Sequence, residues 1–140
     1  PVIAILQAGA YGALHPIIEM ITDAEGNPVN SMYFWLTGIL SGFLDNAPTY
    51  LVFFNIAGSS APEGTIIAEY LMRQMPVTLM AISAGAVFLG ALTYIGNAPN
   101  FMVQSIAEEN NVKMPSFFGY MAWSILILLP ILLLVSILLF

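Results

Sequence analysis

Two short stretches concentrate the polar atoms that could do chemistry in an otherwise apolar chain, Asp45-Asn46-Ala47-Pro48-Thr49 and Gly96-Asn97-Ala98-Pro99-Asn100. They share the tripeptide Asn-Ala-Pro. Proline lacks an N–H and pushes the residue before it out of the α region, while Asn and Gly favour turns. A helix that meets either stretch therefore leaves several carbonyls without intrahelical partners. Carbonyl, amide and carboxylate oxygens are hard ligands for a hard cation, and the half-helix that restarts after each break aims the positive end of its dipole at any nearby anion. The chemistry such residues offer is the capture and release of an ion.

Asp45 is the acid that stands apart. Of eight acidic residues, Glu19, Asp23, Glu25, Glu63, Glu69, Glu108 and Glu109 lie in or beside polar segments, whereas Asp45 alone has long apolar runs on both sides. A carboxylate at the centre of a bilayer costs about 2.5 to 3.5 kcal/mol on insertion scales, so a cation, a donor network or a proton has to compensate it. One site that holds either a proton or a cation is what an antiporter requires.

The elements that position these breaks follow from the composition. Of 140 residues, 59% are hydrophobic and 7% charged, with a net charge of −6, and the mean hydropathy is +0.90. That is a membrane protein by composition, with the lipid bilayer as its first partner. Arg73 and Lys113, the two basic residues, cannot build a phosphate-binding surface, which excludes nucleic acid. Absent cysteine removes thiolate chemistry, and a single histidine, His15, makes a zinc site improbable.

Polar punctuation then divides the chain into helices, and the fold class is all-α. Residues 1–9 read as the last turns of a membrane helix begun upstream, so the chain is expected to be part of a longer protein. Tyr11 to Ile21 reads as a shorter helix, and 22–28 as an exposed loop. Residues 31–57 form an apolar, aromatic block cut in two at Asp45–Pro48, a broken helix or a re-entrant hairpin. Thr65 to Met75 places Glu69 and Arg73 on one face of a short amphipathic helix near the interface, as an exposed ion pair. Residues 76–108 read as a discontinuous transmembrane helix, in which Pro76 to Ile95 has the length of a crossing before the second break. The last crossing is 117–140, where Pro130 should introduce a kink. Two basic residues are too few to fix orientation.

Simpler readings exist for each feature. Either Asn-Ala-Pro could be a plain loop, and Asp45 a helix cap. The aromatic groups Tyr33-Phe34-Trp35 and Phe53-Phe54 read as packing or lipid-facing surface. The small residues from Ala81 to Ala91, with Ser83, Gly85 and Gly90 among them, read as a stripe for close helix packing.

At the two breaks the sequence resembles the ion-transporter superfamily, and within it the bacterial sodium:proton antiporter and citrate-transporter branch. Ser41-Gly-Phe-Leu-Asp-Asn-Ala-Pro-Thr-Tyr50 is similar to the tip of the second re-entrant hairpin, and Tyr94-Ile-Gly-Asn-Ala-Pro-Asn-Phe101 to the break of the discontinuous helix that faces it. The likeness runs on through Lys113-Met-Pro-Ser-Phe-Phe-Gly-Tyr120 to the last helix. It implies a C-terminal transport repeat over 1–140, with an inverted-topology partner repeat elsewhere in the same protein, a homodimer, and a multi-pass place in the bacterial inner membrane. The symporters of the superfamily carry Ser-Asn-Thr at this tip. Here Asn46 keeps the central Asn, Asp45 stands in place of Ser, and Ala47 replaces Thr, with Thr49 two residues on. Exchanging a hydroxyl for a carboxylate favours proton exchange and disfavours a dicarboxylate.

The resulting expectation is secondary ion transport, sodium:proton antiport, with sodium ion and proton as the transported or coupling ions and no other cofactor. Asp45, Asn46, Thr49, Gly96, Asn97 and Asn100 form the ion site, with Asp45, Asn46, Asn97 and Asn100 as sodium ligands. The alternative is a sodium- or proton-coupled carboxylate or oxyanion carrier. An intramembrane aspartyl protease needs two carboxylates in one site, and only Asp45 offers itself, so no catalytic residues are assigned. A structural membrane subunit with no pathway is the remaining rival.

Overall fold

The computed structural model describes residues 15–140, and over these the chain is all-helical with no strand. The helices are α1 (His15–Ile21), α2 (Asn30–Ser41), α3 (Asn46–Gly58), α4 (Ile67–Gln74), α5 (Pro76–Leu89), α6 (Ala98–Glu109) and α7 (Phe117–Leu139), with a 3-10 turn at Gly90–Leu92 following α5. The segment expected to end an upstream membrane helix, 1–9, lies outside the described residues, as does the start of the helix expected from Tyr11.

Helices α2 and α3 are the two arms of a hairpin whose tip is 42–45. The arms face each other through Tyr33 and Phe53, whose rings meet edge to face with centroids 6.3 Å apart. The hairpin lies on α5, and its most extensive packing is α2 on α5. Small residues make that approach possible. A Cβ on Gly85 would collide with the Phe34 carbonyl oxygen, and one on Gly38 would sit 2.6 Å from the Leu89 side chain. Gly85, Ala81, Ala86, Ile82 and Leu89 are buried along this face, so the small-residue stripe is a helix-packing surface.

The polar turns behave as their residues dictate. In the 22–28 loop the Asp23 carboxylate accepts from the backbone N–H of Asn27 at 2.8 Å and of Glu25 at 2.9 Å, and Gly26 supplies the positive φ of +84° that closes the turn. Those bonds, led by the Asn27 backbone N–H, hold the Asp23 carboxyl below its ordinary value. Helix α4 has the expected polar and apolar faces, burying Leu71 and exposing Glu69 and Arg73 in a 3.7 Å ion pair. At Pro76 the chain turns by 105° into α5, because proline can open a helix at its first position but cannot continue the one before it.

Among the described residues one helix, α7, is by itself long and apolar enough to cross a membrane. Its 23 residues reach about 35 Å at 1.5 Å per residue, against about 30 Å of hydrocarbon. Ser116 caps it by accepting from the Gly119 N–H, and the helix runs on through Pro130. Most of its Leu and Ile side chains are exposed, Ile137 to 81%; lipid is the solvent in which that surface is stable. The remainder of α7 is anchored to the hairpin. The Trp35 indole N–H donates to the Ser136 hydroxyl at 3.0 Å, Leu132 is buried, and Phe140 packs against Phe34.

The apolar run from Pro76 does not form one crossing helix as far as Ile95. Helix α5 ends at Leu89. Residues 90–97 then fold back as a 3-10 turn and loop, because Gly90, Thr93 and Gly96 are engaged with the hairpin tip.

Candidate ion-binding site

The two breaks meet. Gly96 is buried where they touch, and a Cβ there would stand 2.6 Å from the Gly90 carbonyl oxygen and 2.8 Å from those of Gly42 and Ser41. Only glycine allows three carbonyls that close to its α-carbon. The Thr93 hydroxyl locks the contact: it donates to the Gly42 carbonyl at 2.5 Å and accepts from the Gly96 N–H at 2.9 Å. On the far side, the Asn100 amide donates to the Thr93 carbonyl at 3.3 Å.

At the centre lies the side-chain amide of Asn46, close against Gly90. Three oxygens face one side of it: the Ser41 hydroxyl at 2.8 Å, the Gly96 carbonyl at 2.9 Å and the Ala86 carbonyl at 3.0 Å. With its NH2 on that side, the amide has its two N–H donors within hydrogen-bond distance of all three, and the Ser41 hydroxyl donates to the Ala86 carbonyl at 2.6 Å. Turned by 180°, the amide would set its oxygen against three other oxygens, so the NH2 side is the one this cluster requires. The Asn46 amide thus ties the hairpin tip to α5 and to the second break through three neutral oxygens. Among the described residues no group of three or more His, Asp or Glu side chains comes together, so the candidate seat is this neutral cluster.

The residues singled out from sequence are placed differently. Asn46 and Gly96 are at the centre, and Asn100 braces the break from outside. Asp45 is exposed beside the cluster and is the N-cap of α3, where its carboxylate accepts the Asn46 backbone N–H at 2.7 Å. Asn97 stands at the N-cap position of α6 with no capping bond from its side chain. Thr49 is fully buried one turn behind the tip, its hydroxyl unpartnered. Three participants escaped the sequence reading: Ser41, Thr93 and the Ala86 carbonyl. Ser41 lies inside the motif, but a lone Ser or Thr in an apolar helix carries no pattern, and a helical carbonyl carries none at all.

Over residues 1–140 the chain matches the family model described as "Putative citrate transport". It belongs to that family, a branch of the ion-transporter superfamily. No curated protein and no solved structure matches it. As a member of the citrate transport family, it is a membrane protein with a transport role. The family match covers both breaks, so the convergence of Asn46 and Gly96 lies within the matched region.

Proposed function

We propose that the chain is the C-terminal repeat of a secondary transporter that exchanges sodium for protons, with α2 and α3 as a re-entrant hairpin and α5 and α6 as the halves of a discontinuous helix. The observation that carries this reading is the cluster at Asn46. The Ser41 hydroxyl and the Ala86 and Gly96 carbonyls gather three neutral oxygens around the Asn46 amide, hard ligands that a monovalent cation would take over if that amide withdrew. Gly96 and Thr93 keep this cluster from collapsing or spreading. Asp45 adjoins it through the backbone of Asn46 and is, among the described residues, the nearby carboxyl group that would carry either a proton or a negative charge. In the sodium-loaded state the Asp45 carboxylate balances the ion; protonation removes that balance and favours release. Asn97, Asn100 and Thr49 complete the surroundings. Alternating access would come from movement of the hairpin and the break as one body. The partner inverted repeat, a homodimer and the bacterial inner membrane complete the proposal.

A second reading, coupled transport of a carboxylate such as citrate, is favoured by the family description. The helix termini weigh on it differently. The N-terminus of α3 is already occupied by the protein's own Asp45 carboxylate, whereas that of α6 carries no side-chain cap and could face an anion. In liposomes holding the intact protein, Asp45→Asn should reduce sodium-driven proton counterflow at least tenfold. If Asp45→Asn exchanges protons at the wild-type rate, the antiport reading fails. If it also sustains citrate uptake, the carboxylate reading stands in its place.

A further inference from the structure

Behind the tip, the inner faces of the hairpin form a ladder. Its base is the Tyr33–Phe53 ring contact and its top is the Ser41–Asn46 contact, one on each side of an unmatched rung. Thr37 lies one turn from Tyr33 toward the tip, and Thr49 lies one turn from Phe53 toward the tip. Both side chains are fully buried. The contacts above and below therefore place the two threonines at facing positions of the two arms.

Neither threonine hydroxyl has a hydrogen-bond partner. A helical Ser or Thr ordinarily turns its hydroxyl back to the carbonyl four residues earlier, as Ser83 does to Leu79 and Ser105 to Phe101 in this chain. Thr37 and Thr49 forgo that bond. Two buried hydroxyls left open at one level of a helix pair offer two donors and up to four acceptor sites, and a buried water takes two to four polar partners. A cation would need more oxygens than this rung supplies.

We propose that Thr37 and Thr49 bind one water molecule between the arms of the hairpin. The rung is about 5.4 Å, one helical turn, behind the cluster at Asn46, about twice a cation–oxygen distance, so this water would brace the cluster from behind rather than ligate an ion held there. Its effect on sodium binding rests on the reading of the cluster as a cation seat, whereas the water site itself does not.

The test is thermal melting of the intact protein in detergent, first in sodium-free buffer, for the wild type, Thr37→Val, Thr49→Val and the double variant. Valine keeps the shape and removes the hydroxyl. Each single variant should lower Tm by about 2 °C or more, because the water and the remaining hydroxyl lose a partner, and the double variant should fall no further than the worse single one, because one water serves both. Thr37→Ser and Thr49→Ser should melt like the wild type. A single valine variant that melts at or above the wild-type temperature overturns the proposal, as does a high-resolution map with no water at the rung or with the hydroxyls bonded to each other. Repeating the melts with sodium separates the two ideas. Both valine variants should need severalfold more sodium for the same stabilisation. A wild type that ignores sodium while the sodium-free pattern holds sinks the cation seat and leaves the water in place.

Discussion

Thr93 joins the two breaks with one hydroxyl, donating to Gly42 and accepting from Gly96 while fully buried. Thr93→Val leaves a carbonyl and an N–H without partners, and each buried unpaired group costs about 1 to 3 kcal/mol. A marked fall in Tm is expected for Thr93→Val, with Thr93→Ser close to the wild type; equal melting of all three would show that the hydroxyl holds nothing together. At this scale the sequence was only half readable. Asn46 and Gly96 announced themselves because Asn and Gly are out of place in an apolar helix. Thr93 did not, because threonine sits in helices of every kind. Asp45 was conspicuous for its apolar flanks, but those flanks say nothing of where the chain turns. The turn makes it a helix cap on the outside of the tip, beside the cluster rather than within it.

Elements are held at their distances by backbone contact more than by side-chain fit. Gly85 faces the Phe34 carbonyl with no room for a methyl group, so Gly85→Ala has to push α2 off α5. Overpacking of this kind costs about 1 to 3 kcal/mol, and the displacement should reach the tip, since Ala86 on the next residue supplies one oxygen of the cluster. The check is a lowered Tm together with a weaker response to sodium. An unchanged response would show that the tip is positioned independently of this contact. The 22–28 loop has its own signature. Asp23 is held below its ordinary value of 3.8 by the Asn27 N–H groups, so its stabilising bonds are complete above that pH and fade as the pH falls below 3.8 through the lowered value. Amide-exchange protection of Asn27, corrected for the intrinsic rate, should drop across that range, and in Asp23→Asn it should show no such step.

The helix boundaries were legible wherever a local signal set them. The amphipathic α4, its stop before Pro76 and the restart of helices at Asn46 and Ala98 all follow from proline, glycine and charge placement. The end of α5 at Leu89 did not. Composition alone lets that helix run to Ile95, and what ends it is the approach of Asn46 and the hairpin carbonyls to Gly90 and Gly96, a contact between residues some fifty positions apart.

For the whole molecule, α7 and the hairpin behave as one unit. Trp35–Ser136 and Phe34–Phe140 join α7 to α2, and Tyr120, stacked on Tyr94 at 4.1 Å, donates to the Ala91 carbonyl at 3.0 Å where α5 has ended. The last helix thus grips both the hairpin and the break while its other face is left for lipid. A cluster held this firmly should bind an ion without rearranging its scaffold. The most direct measurement is calorimetric titration of sodium into the intact protein, wild type against Asn46→Ala. Saturable binding by the wild type, lost or weakened at least tenfold in the variant, is the predicted result; sodium binding of equal strength by both proteins would contradict it.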